Sequence, residues 1–409
     1  MNMRLQVKIS LLLIICSVLL ANNSNAQITS SPYSIFGMGN IEENSLGGNK
    51  GMGGTGIALM SGNSINFLNP ASYSGLDTLV SVFELGVFGK YTSFKNYDSN
   101  QKLFDADFKY LAMGFKIKPK LATSFGITSY STVGYKINIP TTIEGTSVIY
   151  NKIYSGEGGV NQAYLGTSYR ISKNLSLGIN AVYLFGNVTH SESSTDLDYS
   201  LKSITYLSNF NLNYGLNYQF GKKSWKYNIG LIYNNGKTLA TDNVSTITAL
   251  SVTETIKSQT TSFKIPRTYG IGLAAQKDYF KIGADYELKQ WKDIDFSNPF
   301  VENRNSHRYS FGIEFPSPGE NKGTYRMIFY RFGAEYNESN LIVNKIPINY
   351  RSISFGAGIP VQGYLSVINL ALELGQNGSG KNGLFQERFC TLHIDVSLKE
   401  EWFKKRKYY

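Results

Sequence analysis

From about residue 78 the chain alternates apolar and polar residues with a period of two almost to its end, the spacing of strands whose two faces meet different surroundings. Leu212, Tyr214, Leu216, Tyr218 and Phe220 take one side of such a strand, with Asn211, Asn213, Gly215, Asn217 and Gln219 on the other. Phe280, Ile282, Ala284, Tyr286 and Leu288 alternate in the same way with Lys281, Gly283, Asp285, Glu287 and Lys289. Near the C-terminus, Leu392, Ile394, Val396 and Leu398 alternate with Thr391, His393, Asp395 and Ser397. Four charges on one strand face cannot point into a dry sandwich core. Two arrangements remain: a soluble sheet with its apolar face inward, or a membrane barrel with that face outward.

Connection lengths favour the barrel, because outer-membrane barrels alternate short turns on the periplasmic side with longer external loops. Tight turns fall near residues 118–120, 172–174, 221–224, 277–278 and 360–363, with a longer one at 316–324. Longer polar connections separate them, around 96–102, 140–150, 190–202, 236–266, 292–306, 337–348 and 376–386. Counting between them predicts about fourteen antiparallel strands, from 79–94 to 387–398, an even number that lets a single chain close on itself. One of these strands spans 252–276, and the Thr- and Ser-rich stretch 239–264 reads as an extended hairpin projecting outward. Both chain ends then lie in the periplasm. Trp225, Tyr269, Tyr309 and Tyr364 stand near strand ends, where interfacial girdles place aromatics.

The N-terminus sets the compartment. Arg4 and Lys8 precede an apolar run from Ile9 to Leu20 and a small-x-small site at Ser24, Asn25 and Ala26, the layout of a secretory signal peptide over residues 1–26. That run is shorter than the roughly 20 residues of a spanning helix. Of the two cysteines, Cys16 leaves with the leader, so Cys390 alone remains and no intramolecular disulfide or cysteine metal site can form. The composition of 29 Tyr, 24 Phe and 40 Gly with 17% charged residues and a mean hydropathy of −0.20 fits a lipid-facing surface averaged with a polar lumen. The formal charge is +11, and its one dense basic run is Lys404, Lys405, Arg406 and Lys407 in a tail at 399–409. In an exported protein, that run points to acidic headgroups or a protein partner rather than to nucleic acid.

Residues 27–78 do not alternate. Ser31-Pro32-Tyr33 leads into Gly51-Met52-Gly53-Gly54-Thr55-Gly56 and then Asn66-Phe67-Leu68-Asn69-Pro70-Ala71, a glycine-rich run suited to a compact plug threaded among lumen side chains. A phosphate-binding loop lacks here its strand, helix and lysine. With these residues in place, the chain resembles the FadL/TodX family of outer-membrane transport proteins over essentially all of its mature length. The resemblance implies a barrel of about fourteen strands, here 79–398, blocked by an N-terminal hatch at 27–78. It also implies passive uptake of long-chain fatty acids or other hydrophobic compounds, with hatch movement opening a route to a gap in the barrel wall. By position, Gly51, Gly53, Gly54, Gly56, Asn66, Asn69 and Pro70 correspond to the hatch and its exit turn. The polar external loops, with no amphipathic helix, depart from the family's surface groove. Gly156, Glu157, Gly158 and Gly159 interrupt a strand and offer either a kink that opens the wall or a plain hairpin.

No constellation for catalysis emerges. His190 and His307 fall in or beside external loops, and His393 with Asp395 shares a polar face without a nucleophile beside it. Neither a metal motif nor a cofactor motif is present. Asn211, Asn213, Asn217, Lys281, Asp285, Glu287, Arg331, Glu335 and Glu373 are expected to face the lumen, either wetting it or fastening the hatch to the wall. The expected function is a hatch-gated channel for hydrophobic small molecules. The alternative is an accessory or scaffolding barrel of a secretion or barrel-assembly complex, a role that some FadL-like proteins also take.

Overall fold

The computed structural model describes residues 31–96, 100–221, 224–250, 252–258, 263–292, 301–317, 327–361, 366–380 and 383–402. The leader expected at 1–26, Tyr364, and the tail residues Lys404, Lys405, Arg406 and Lys407 lie outside them.

Fourteen strands form the wall. They are β1 Val80–Lys95, β2 Asn100–Lys118, β3 Leu121–Thr142, β4 Ile149–Arg170, β5 Leu175–Ser194, β6 Tyr199–Phe220 and β7 Trp225–Asn234. The remainder are β8 Arg267–Lys277, β9 Phe280–Gln290, β10 Ser306–Pro316, β11 Phe329–Glu338, β12 Tyr350–Val361, β13 Ser366–Asn377 and β14 Gln386–Glu401. Each pairs antiparallel with the next, and β1 pairs with β14 from Val80↔Glu401 to Lys95↔Gln386, which closes the cylinder. Pairing of the first strand with the last closes the sheet on itself, the condition a β-structure must meet in lipid. Among the described residues no helix is long and apolar enough to cross a membrane.

The two faces are inverted relative to a soluble protein. Outward Phe83, Leu85, Leu165, Leu273, Phe311 and Leu392 are 42–62% exposed, whereas their inward neighbours Glu84, Ser310 and Thr391 are buried. This is a transmembrane barrel with its apolar face toward lipid. Aromatics continue from strand to strand on the outside: Tyr214 lies against Tyr233 and Tyr233 against Tyr269, and Tyr286, Tyr309 and Tyr336 follow in the same manner.

The span expected at 252–276 is three pieces. Val252–Ser258 pairs with Thr241–Ala249 in a hairpin that lies on β6, Phe263–Ile265 pairs with Lys237–Leu239, and only β8 joins the wall. The periodicity of two runs through all three, so it could not reveal where the chain changes partners. Strands β3 to β6, at 20–22 residues, are twice the roughly 9–11 needed to cross a bilayer. With the hairpin they stand beyond the wall as an open sheet at the end of the barrel that carries the long loops.

Residues 31–78 hold little regular structure and lie inside the cylinder. Leu46, Ile57, Ile65, Phe67, Tyr73 and Leu76 are all at most 2% exposed. Inward side chains of the wall, among them Val82, Tyr110, Tyr164, Val182, Leu184 and Leu207, join the apolar cluster around part of this segment.

Candidate functional site: the lumen, its N-terminal segment and the wall seam

Three short 3-10 turns shape the segment. Ser31 caps the first, Pro32–Ile35, by accepting from the Tyr33 N–H at 3.1 Å, and Pro32 supplies a preset φ at the first position. The second, Gly47–Met52, ends at Gly53, whose φ of 64° lies in the left-handed region that glycine enters without strain. Asn69 caps the third, Pro70–Gly75, accepting from the Ala71 N–H at 3.0 Å. Its amide also donates to Ile57 O at 2.7 Å and to Leu216 O at 3.1 Å, so one side chain ties the turn, the glycine run and β6 together. Asn69→Ala is therefore expected to cost about 1–2 kcal/mol as a lost cap, and more for the carbonyls it orphans. A lowered urea midpoint for protection of the segment against protease checks this.

The segment approaches the wall most closely where the wall has glycine. A Cβ added at Gly272 would lie 2.8 Å from Ala58 N, and one at Gly312 would lie 2.5 Å from Met52 Cβ. Gly178 and Gly215 face Pro70 and Asn69 in the same way, and Gly333 faces Gly53. Gly51 approaches Gly356 and the stem of Arg331, and Gly54 continues the turn by donating to Asn49 O at 2.9 Å. Side chains then fix the register. Asp285 accepts from the Gly56 N–H at 2.6 Å and the Ile57 N–H at 2.9 Å, Ser354 accepts from the Gly53 N–H at 2.8 Å, and Asn217 donates to Ala58 O at 3.3 Å. Asn66 donates to Gly56 O and Leu59 O within the segment.

Charge completes the fastening. Arg308 on β10 grips Glu43 through Nε at 2.9 Å and also meets Glu335 on β11 at 3.1 Å and Gly53 O at 3.2 Å. Arg331 pairs with Glu314 at 2.5 Å and donates to Asn369, while Lys281 holds the other Glu314 oxygen at 2.7 Å. Lys50 pairs with Glu43 at 3.3 Å, and Lys109 on β2 pairs with Glu42. Burial alone would raise the Glu42 carboxyl, yet Lys109 beside it holds it below the usual range. Burial opposes ionisation of Glu43 as well, and Arg308 and then Lys50 hold it well below that range. Burial pushes the Tyr73 phenol well above its ordinary value, and its hydroxyl donates to Asn180 at 3.0 Å.

Glu373 meets His393 at 3.2 Å and accepts from Tyr350, so His393 is partnered by Glu373 rather than by Asp395. Glu287 pairs with Lys289 at 3.0 Å. Asn211 and Asn213 lie near the upper end of the β6–β7 pairing and line an inner cavity together with Glu287 and Lys289. Among the described residues, no group of three or more His, Cys, Asp or Glu is placed to hold a metal ion. Alternation alone would have found Arg308 and Glu314, the inward residues of Arg308-Tyr309-Ser310-Phe311-Gly312-Ile313-Glu314. Glu42, Glu43 and Lys109 carry no such signal.

One seam in the wall is incomplete. β2 and β3 pair from Lys118↔Leu121 only as far as Tyr110↔Thr128, although both continue for ten residues or more. Each has a bulge beside the parting: the β1–β2 register skips Lys109, and the β3–β4 register skips Tyr130. The N-terminal segment occupies the free edge of β3. Asn40 and Ile41 pair with Thr132 and Ser131, Glu42 N–H donates to Tyr130 O at 2.8 Å, and Ser31 N–H donates to Gly134 O at 3.1 Å. Gly156, Gly158 and Gly159 stand on β4 behind this seam, with Gly158 at φ 103°, and they keep their pairing to both β3 and β5. The separation is thus one strand away from these glycines, which let β4 follow the bulge at Tyr130 without losing register.

Above the segment lies a vestibule of about 700 Å³ toward the long-loop end. Phe36, Met38 and Ile41 form part of its lining, with Phe88, Phe389 and Tyr350 from the wall, and Glu42, Lys50, Lys90 and Lys109 supply charge.

A family profile described as BamG matches residues 7–409, nearly the whole sequence. The chain belongs to the BamG family. Among curated proteins, none matches this BamG-family chain. Among solved structures, the Pseudomonas putida toluene transporter TodX is similar, with 16% identity, a TM-score of 0.61, and coverage of 89% of this chain and 100% of that one. The Ralstonia pickettii toluene transporter TbuX is similar at 15% identity and a TM-score of 0.61, covering 88% of this chain and 100% of that one. A Pseudomonas aeruginosa FadL homologue is similar at 10% identity and 0.57, covering 90% and 100%. At these identities the likeness is one of fold, and it places the BamG-family barrel in the FadL/TodX architecture.

Proposed function

We propose that this BamG-family barrel is a passive channel of the bacterial outer membrane for hydrophobic small molecules, with long-chain fatty acids among the candidates. In this reading, residues 31–78 are a hatch. The observation that carries it is the seam between β2 and β3, where Asn40 to Glu42, which are not wall residues, occupy the edge that β2 leaves open. Movement of that stretch would join the vestibule to the lipid phase. A hydrophobic solute could then leave sideways without crossing the ion pairs below. The toluene transporters that share the fold support the solute class. The long-loop end faces outward in this proposal. Both chain ends face the periplasm, where Lys404, Lys405, Arg406 and Lys407 would meet acidic headgroups or a protein.

A disulfide across the seam tests the reading. In a Cys390→Ser background, Ile41→Cys with Ser131→Cys joins a directly paired couple. With the bridge formed, uptake of toluene and of oleate by cells is expected to fall to that of cells lacking the protein and to return with reductant. Undiminished uptake through a fully bridged protein removes the hatch from the mechanism.

The buried ion pairs of Arg308, Glu43 and Glu335 favour a second reading, in which the segment is a permanent brace and the barrel an accessory subunit of an outer-membrane assembly or secretion complex. Stoichiometric co-purification with such a complex in mild detergent, together with uptake indifferent to the bridge, would decide for that role.

A further inference from the structure

The wall is breached a second time, four strands round from the first seam. β6 pairs with β7 only from Phe220↔Tyr227 to Asn213↔Asn234, and it resumes pairing on that side at Leu207↔Thr241 with the projecting hairpin. Between them the ladder lapses. The backbone groups left over are taken by side chains, as lipid-facing backbone requires. The Phe210 N–H donates to Asn209 Oδ1 at 2.8 Å, the Leu212 N–H donates to Asn211 Oδ1 at 2.9 Å, and the Phe210 carbonyl accepts from Lys237 Nζ at 3.1 Å. The same device stands at the first seam, where the Phe108 N–H donates to Asp107 Oδ1 at 2.7 Å just past the last β2–β3 pair. Across the second break, the ribbon of Lys237–Leu239 and Phe263–Ile265 turns inward, and Leu239 is wholly buried in the interior cluster.

A groove lies on the lipid side below this break. It measures about 650 Å³, within the roughly 300–1,000 Å³ typical of small-molecule sites. Tyr214, Tyr233 and Tyr269 stand along it, with successive ring centroids 6.1 and 5.3 Å apart, and Leu216, Leu231 and Ile271 complete its apolar lining. No charged residue lines it. On the inner side, a cavity of about 80 Å³ runs past Asn211, Asn213 and Asn234 and reaches Ile41 and Tyr130 at the first seam. Tyr214, Ile232 and Tyr233 line both spaces.

We propose that the break between β6 and β7 is a second lateral port. An uncharged, ring-sized hydrocarbon gathers from the outer leaflet in the tyrosine-lined groove and passes between Ser208 to Leu212 and the inward-turning ribbon into the interior. This rests on the reading of the barrel as a channel for hydrophobic compounds, and it gives that channel an entrance from lipid as well as from water. The tyrosine faces suit an aromatic ring. A charged molecule would forfeit its hydration on entry.

The test follows access to the interior rather than uptake, so that it stands apart from the channel reading. In a Cys390→Ser, Asn213→Cys protein in phospholipid vesicles, N-phenylmaleimide is expected to label the new thiol at least about tenfold faster than a sulfonated maleimide, corresponding to about 1.4 kcal/mol. Leu231→Trp fills the groove from its lipid face, where a large apolar side chain is at home, and is expected to slow the apolar reagent about tenfold while leaving thermal unfolding unchanged. Toluene should compete with the reagent in the parent but not in the Trp variant. Equal rates for the two maleimides, or a rate indifferent to Leu231→Trp, would show access from the vestibule alone and a groove filled only by acyl chains. Either result overturns the port. Loss of uptake by the bridged protein of the preceding section, with labelling intact, would leave the port standing.

Discussion

Replacing Arg308 by alanine is expected to release the N-terminal segment from the wall, at a cost of about 3–5 kcal/mol in the stability of its seating. The guanidinium is the single group that faces Glu43 on the segment, Glu335 on β11 and the Gly53 carbonyl at once, and its residue is 6% exposed. Its removal leaves the almost wholly buried Glu335 carboxyl without a cation at hydrogen-bond distance, which is worse than never having placed the pair there. The wall should survive, because its ladder does not run through these side chains. The expected result is a barrel that remains folded in detergent while residues 31–78 become cleavable at protease concentrations harmless to the parent. Arg308→Lys, which keeps the charge but loses the forked geometry, should fall between them. A segment as protected in Arg308→Ala as in the parent would mean that glycine contacts alone hold it.

Gly333→Val should act as strongly and by a different force. A Cβ at Gly333 would overlap the Gly53 nitrogen and the Met52 carbonyl carbon, and a Cβ at Gly53 would in turn press on Ala334. The clash is backbone against side chain, so no rotamer relieves it, and the cost is put at about 3 kcal/mol or more. The segment is less firmly built than the wall and is expected to yield. Planar-bilayer recordings should show a higher baseline conductance than the parent, and Gly333→Ala should give a smaller increase. A quiet bilayer with Gly333→Val would show that the segment can shift and still fill the lumen.

The wall was legible because lipid imposes one rule on every strand. Leu212 to Phe220 and Phe280 to Leu288 present apolar side chains at every second position, and β6 and β9 lie where that pattern runs. The rule carries no information about partners. Thr241 to Ile265 kept its strand-like spacing while the chain left the wall, formed a hairpin and turned inward, and only the pairing discloses this. The lumen was legible in part. Arg331 and Glu335 fall on the polar face of their strand, but their partners Glu314 and Arg308 lie on β10, more than fifteen residues away. The seam between β2 and β3 was hidden because β2 keeps its alternation beyond the point where it loses its neighbour. Gly156, Gly158 and Gly159 interrupt the residue pattern of β4, yet they keep their pairing to both neighbouring strands.

The contacts between Gly53 and Gly333, Ile57 and Gly230, and Pro70 and Gly178 set an order of assembly. These are backbone surfaces deep in the lumen, and the segment that carries them runs directly into β1. β1 is also the strand on which β14 docks to complete the circle. Threading nearly fifty residues into such close registry inside a finished cylinder would be the harder route. Assembly is simplest if the N-terminal stretch already lies on the growing sheet while the ring is open, with the last strand zipping against the first around a cargo that is part of the same chain.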